Sequence, residues 1–249
     1  MKRKNLLTGL MVLILTVPLW AELTVREIVD RVDEVVNVPQ SYMLYEQVVV
    51  TANKVKTDYT VETYSKNGDE KQLTRYIKPS KVKGTSFLML DHGDNIWAFF
   101  SSSGRVRLIA RHMKKQKMMG SEFTYEDMAM TSIKRNYSAT LLGEQRVQRR
   151  ACYKLELIPR GESSYGKLIA FADKENFLIL QLDYYRKGEN KPHKRMVQGK
   201  VKVVDGTPTP HLIVMKNLEN EAQTAIKVLK VDYRIELDDS QFTTTALQK

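Results

Sequence analysis

From Tyr42 to Leu237 apolar residues recur mainly at every second position, in short runs separated by a few turn-forming residues. That pattern confines the chain to antiparallel β structure, because side chains alternate across a strand and tight turns leave no room for crossover helices. The period predicts strands over 42–51, 58–65, 71–77, 85–90, 96–101, 106–110, 133–142, 147–158, 165–171, 177–185, 194–204, 212–217 and 225–237. Turns are expected at Asn67-Gly68, Asp91 to Asp94, Leu142-Gly143-Glu144, Asp173 to Asn176, Lys187 to Asn190 and Asp205-Gly206, where residues that tolerate a positive φ cluster. On the order of eleven to thirteen strands joined this way curl into a barrel or a deeply curved sheet.

One segment breaks the pattern at the start. Val25, Ile28, Val29, Val32, Val35 and Val36 recur at three- and four-residue steps behind Thr24 and Glu27, a capping-box pair, so 24–37 is expected to be an amphipathic helix ended by Pro39. A second break covers 113–130, with Met113, Met118, Met119, Met128 and Met130 in one short stretch. Strand faces alternate: Leu178, Leu180, Leu182 and Tyr184 oppose Gln181 and Asp183, and Leu229, Val231, Tyr233, Ile235 and Leu237 oppose Lys230, Asp232, Arg234 and Glu236. One helix cannot fill the inside of so large a curved sheet, which leaves a hollow lined with apolar side chains.

The first 21 residues carry an address. Lys2, Arg3 and Lys4 precede an apolar run from Leu6 to Trp20, with Ala21 at the cleavage position, the build of a secretory signal peptide. The expected organisation is therefore a signal peptide at 1–21 and a single domain at 22–249, soluble outside the cytoplasm, a location that the family resemblance below narrows to the periplasm. The net charge of +11 then cannot be read as nucleic-acid binding, because that compartment holds none. A lone cysteine, Cys152, excludes a disulfide framework and thiolate metal centres.

Catalytic patterns are weak. Gly161 to Lys167 has phosphate-loop spacing, but Leu168 replaces the hydroxyl residue that would hold magnesium, and strands flank it on both sides. Glu126-Asp127 and Asp238-Asp239 are read as solvated loop residues or helix caps, and Asp91, His92 and Asp94 as a turn. No catalytic residue, metal or cofactor is expected.

The remaining pattern is one of family. Trp97, Arg105 to Ile109, the block Met119-Gly120-Ser121-Glu122-Phe123-Thr124-Tyr125-Glu126-Asp127, Tyr153 to Pro159, Tyr165-Gly166-Lys167 and Phe242-Thr243 with Leu247 together resemble the LolA-like outer-membrane lipoprotein-sorting proteins of bacteria. Two departures stand out: Glu122 replaces the more usual Asp, and 99–103 reads Phe-Phe-Ser-Ser-Ser where a proline is common. The resemblance implies a mainly β, incompletely closed antiparallel barrel with helix over its hollow side, and a greasy interior that shields acyl chains between inner and outer membrane. At about 0.8 kcal/mol per methylene, a chain of about sixteen carbons loses roughly 12 kcal/mol if left in water, so crossing an aqueous gap requires a container.

On that reading the candidate lipid-binding residues are Phe87, Met89, Trp97, Phe99, Met118, Met119, Phe123, Tyr125, Leu180 and Leu182, with 113–130 as a cover. Met89 is expected opposite Trp97, and Phe87 opposite Phe99. Arg105 and Arg107 are candidates for a head group or a docking partner. The expected partners are lipoprotein acyl chains or another lipid, an inner-membrane exporter and, transiently, a membrane surface, with no nucleic acid. A second reading of the same architecture is an envelope sensor or peptide-binding module that reports to a membrane partner.

Overall fold

The computed structural model describes residues 22–129 and 131–248, so the signal-peptide expectation and Met130 lie outside the described residues. The amphipathic segment forms helix α1 (Val25–Val36), and the Thr24 and Glu27 side chains each bond the other's backbone amide, closing the expected capping box. Three of its side chains, Ile28, Val29 and Val32, are buried.

Thirteen strands follow. They are β1 (Gln40–Val50), β2 (Lys56–Lys66), β3 (Lys71–Lys78), β4 (Ser86–Leu90), β5 (Asn95–Phe100), β6 (Arg105–Leu108), β7 (Tyr137–Val147), β8 (Arg150–Pro159), β9 (Tyr165–Asp173), β10 (Ile179–Arg186), β11 (Lys194–Val204), β12 (Thr207–Asn217) and β13 (Gln223–Asp232). All lie in one antiparallel sheet ordered β6-β5-β4-β3-β2-β1-β13-β12-β11-β10-β9-β8-β7. The ribbon's middle is the pairing of β1 with β13, and its edges β6 and β7 are not bonded to each other. The barrel is therefore mainly β, strongly curved and incompletely closed. Between the two edges the chain runs through α2 (Tyr125–Ala129) and α3 (Ile133–Asn136).

Several local expectations are corrected. Residues 133–136 form a helical turn, because Asp33 of α1 accepts the Ile133 and Lys134 amides and the Ser132 hydroxyl, giving the exposed amides of a helix start their acceptors. Gly143, at φ +117, makes a bulge inside β7, and the actual turn is Gln148-Arg149, both left-handed. At the other end β13 stops at Asp232, and Leu229 is exposed. Its pairing with β1 slips between Leu44 and Tyr45, which breaks the strict alternation expected for 229–237.

The largest correction concerns β4 and β5. The observed register pairs Met89 with Ile96, Leu88 with Trp97, Phe87 with Ala98 and Ser86 with Phe99. Pairing Met89 with Trp97 needs an odd number of loop residues, whereas four residues, Asp91 to Asp94, separate the closing pair Leu90 and Asn95. Asp91, His92 and Gly93 are all left-handed, which lets the four-residue loop close. The one-residue shift turns Trp97 and Phe99 to the opposite face.

The sheet thus has two covered faces. Side chains from almost every strand meet on the inner face, including Tyr45, Val61, Tyr76, Phe87, Met89, Leu155, Leu168, Leu182 and Met215, and α1 packs among them. On the outer face Leu73, Leu88, Trp97 and Phe99 meet Leu237, Phe242 and Leu247 of the C-terminal tail. A smaller outer cluster gathers Cys152, Ile169, Phe171, Leu178 and Leu180.

Candidate functional site

The segment that joins the two sheet edges occupies the hollow. Met118, Phe123, Tyr125, Ala129 and Ile133 are all buried in the inner cluster, while Met119 and Met128 pack against it half-buried. Burial of each large apolar side chain is worth about 1.5–3 kcal/mol, so this stretch is a substantial part of the interior. The expected apolar hollow is therefore covered by the chain's own residues.

Phe87 is the centre of the aromatic packing here. Its ring meets Tyr125 at 5.7 Å, Phe100 at 5.9 Å and Tyr76 at 6.1 Å. The aromatic patch exists, but Phe100 and Tyr125 complete it in place of Phe99. Gly93 fits the turn beneath: at φ +84, a Cβ there would lie 2.3 Å from the Cβ of Ala129, so only glycine lets the β4–β5 turn touch α2.

Polar attachments hold the segment down. Lys194 Nζ donates to Asp127 Oδ2 at 2.6 Å and to the Tyr165 hydroxyl at 2.7 Å, and that hydroxyl donates to Asp127 Oδ1 at 2.7 Å. The Lys194 and Asp127 side chains are only 5% and 1% exposed. The same carboxylate accepts the Thr124 amide, while the Thr124 hydroxyl accepts the Asp127 amide, so one side chain both starts α2 and binds it to the sheet. Burial, then the neighbouring Asp127 charge, pushes the Tyr165 hydroxyl far up, keeping it protonated and able to donate. His193 stacks on Tyr165 at 5.8 Å, and burial, with Arg186 and Lys194 nearby, lowers its pKa.

Glu126 Oε1 accepts the Ser163 hydroxyl at 2.5 Å, and both its oxygens accept the Ser164 amide at 3.1 Å. Glu122 accepts Lys117 Nζ at 2.5 Å, and its amide donates to Thr224 Oγ1 of β13 at 2.8 Å. Arg135 grips Asp69 at 2.6 and 2.8 Å. Glu126 and Asp127 are thus buried anchors, not the solvated loop residues expected, although Asp127 does also act as a cap. Adjacent positions point apart in a helix, which lets one reach the β8–β9 loop and the other the β9–β11 side.

Of the residues singled out in the sequence, the fold brings Phe87, Met89, Met118, Met119, Phe123, Tyr125 and Leu182 together on the inner face. Trp97 and Phe99 stand on the outer face under the tail. Leu180 stands in the smaller outer cluster, because the pairing of β10 with β9 slips between Ile179 and Gln181. Arg105 and Arg107 are exposed on edge strand β6, opposite the inward-facing Phe100 and Ala98. Lys194 was hidden in a basic run that reads as surface, and nothing in its neighbours marks it as buried.

A recess of about 820 Å3 opens where the chain leaves β6 and enters β7. Its wall is polar, drawn from the β4–β5 turn, 111–115, α2, α3, the β8–β9 loop and Lys187. Arg111 there lies 3.9 Å from Glu162, and Lys114 Nζ donates to the Gly93 carbonyl at 2.7 Å.

Solved structures with the same fold exist. A LolA superfamily protein from Nitrosomonas europaea superposes with a TM-score of 0.74 at 19% identity, over 90% of this chain and 100% of the other. The family model described as uncharacterized-protein-like matches residues 68–249, more than half of the chain, and the chain belongs to that family. A DUF1329 family protein from Desulfovibrio piger is 26% identical with a TM-score of 0.82, over 89% of this chain and 96% of the other. A domain from Vibrio parahaemolyticus, provisionally described as an outer-membrane lipoprotein-sorting protein, is 24% identical with a TM-score of 0.81, over 90% and 96% of the two chains. No curated protein matches the chain. None of the helices among the described residues is long and apolar enough to cross a membrane.

Proposed function

We propose that this protein is a periplasmic carrier that shields the acyl chains of lipoproteins or lipids during transfer between inner and outer membrane, without catalysing a reaction. The observation that carries the reading is the inner apolar face closed by one segment, 109–129 and 131–136, which buries apolar side chains against it and is fastened at its polar positions by side-chain hydrogen bonds and ion pairs. When such a segment lifts, its polar anchors regain water, whereas Phe87, Met89, Leu182 and the underside of the cover do not. An acyl chain supplies the missing apolar contact, so occupancy and opening are coupled. Methionines 118, 119 and 128 suit chains of varied shape, because the thioether side chain is flexible and polarizable. The carrier is expected to take cargo from an inner-membrane exporter and to meet the membrane surface only in passing.

The test is mass spectrometry of the organic extract from protein purified from its native envelope. Acyl lipid is expected to copurify and to fall in Met89→Ala and Phe123→Ala, while Trp97→Ala, on the outer face, leaves it unchanged. Extracts free of lipid, with a stable bound polypeptide in its place, would overturn the carrier in favour of a peptide-binding module.

A further inference from the structure

The geometry points to the 820 Å3 recess at the mouth of the barrel as a binding site for a phosphorylated polar group, an inference that rests on the carrier reading and names the polar end of its cargo. Six lysines and arginines line it against three carboxylates. Arg111 faces Glu162 and Arg135 is held by Asp69, which leaves Lys114, Lys115, Arg160 and Lys187 against Asp94 and Glu126. Lys115 and Lys187 are exposed in the lining and have no carboxylate within ion-pair distance among the described residues. Arg160 is oriented by one bond, Nε to the Tyr137 carbonyl at 2.9 Å, with its remaining nitrogens left to serve the recess.

A second observation points the same way. Asn136 lies in the wall, and its Nδ2 is a buried donor with no hydrogen-bond partner among the described residues. Such a donor is costly to leave unmet, and an oxyanion in the recess would satisfy it once the Asn136 side chain turns toward the opening. Cations on flexible stems around an unmet amide donor suit a tetrahedral anion with several acceptor oxygens. The volume exceeds that of a bare ion and leaves room beside the phosphate for a further polar moiety such as glycerol or a sugar. The polar wall does not suit an acyl chain. The floor of the recess is α2, whose Tyr125 faces the apolar interior, so a head group held here leaves its tails beside the segment they would replace.

The chemistry has two sources, a phospholipid head group or a soluble phosphate ester, and the experiment separates them. The full chain is titrated calorimetrically with glycerol 3-phosphate and floated with vesicles of phosphatidylglycerol in phosphatidylcholine. The same measurements are made on Lys115→Gln with Lys187→Gln, and on Lys200→Gln with Lys202→Gln, an equal charge change on the exposed end of β11. The recess pair is expected to weaken glycerol 3-phosphate binding about tenfold and the β11 pair to leave it unchanged. Vesicle recruitment lost in the recess pair identifies a lipid head group, and recruitment retained there identifies the soluble ester. Absence of binding in the native chain, or equal weakening by both pairs, overturns the site. Transfer of neutral diacylglycerol between vesicles reports carriage alone. Transfer without anion binding overturns the recess and leaves the carrier, whereas anion binding without transfer supports the recess and overturns the carrier.

Discussion

Two irregular segments cover the two faces of the sheet, and they are attached by different physics. The inner one, 109–136, is pinned by buried or half-buried charge: Asp127 to Lys194, Glu126 to the β8–β9 loop, Asp33 to the start of α3 and Arg135 to Asp69. The outer one, the tail after β13, is held by hydrocarbon, by side chains that donate to its carbonyls and by the exposed Asp239, which pairs with Lys66 and Lys71. Leu237, Phe242 and Leu247 bury themselves on Leu73, Leu88 and Trp97, while Lys66, Arg75 and Ser86 donate to the carbonyls of Leu237, Ala246 and Leu247. Water competes for ions far better than for leucine. The inner cover thus adds a set of buried polar anchors to its buried Met118, Phe123, Tyr125 and Ile133, and the tail has no buried ion pair of that kind among the described residues.

The largest expected effect is on the buried ion pair. Asp127→Ala leaves Lys194 charged and unpartnered in the interior and should cost about 3–5 kcal/mol in urea unfolding. The double change Asp127→Leu with Lys194→Met should recover most of that loss, since well-packed apolar groups often replace a buried pair without penalty. Recovery would show that the pair serves release more than stability. Next, Leu247→Ala in the outer tail should cost about 2–4 kcal/mol in urea unfolding.

A smaller effect sharpens the contrast through pH. The folded-state pKa of His193 lies below its usual 6.5 because of burial first, then Arg186 and Lys194. The unfolded chain then binds the extra proton first, so the stability from a neutral His193 is full above 6.5 and is lost as pH falls below it, down through the folded value. His193→Gln should flatten that part of the urea-midpoint profile, and a tail variant such as Leu247→Ala should not. The smallest effect is expected at the exposed pair of Lys134 with Asp30, joined at 2.6 Å: Lys134→Ala should leave the unfolding midpoint unchanged within error.

Much of the architecture was legible because it is written in periods and caps. Thr24 and Glu27 mark the helix start, Asn67-Gly68 and Asp205-Gly206 mark turns that exist, and β11 has the bounds its pattern predicts. What was not legible depends on single-residue offsets. A four-residue loop at Asp91 sends Trp97 outward, and a slip near Leu180 sends that side chain to the outer cluster, and neither offset alters composition or period in a visible way. The buried anchors were opaque for another reason. Asp127 and Lys194 lie far apart in sequence, and a charged residue is read as exposed unless its partner is known to stand opposite. The inner-face residues Phe87, Met89 and Leu182 were found because apolar alternation on a single strand suffices to place them, whereas Phe123 was singled out only within the block that carries the family resemblance.

The pairing of β1 with β13 at the middle of the ribbon has a consequence for how the barrel comes into being. A chain that emerges amino end first presents β1 with one neighbour in hand and the other still unmade, so the central stitch is the last to be sewn. Contacts so remote in sequence slow assembly. Until Gln223–Asp232 arrives, two half-ribbons wait with raw inner margins, each open to pairing with another copy.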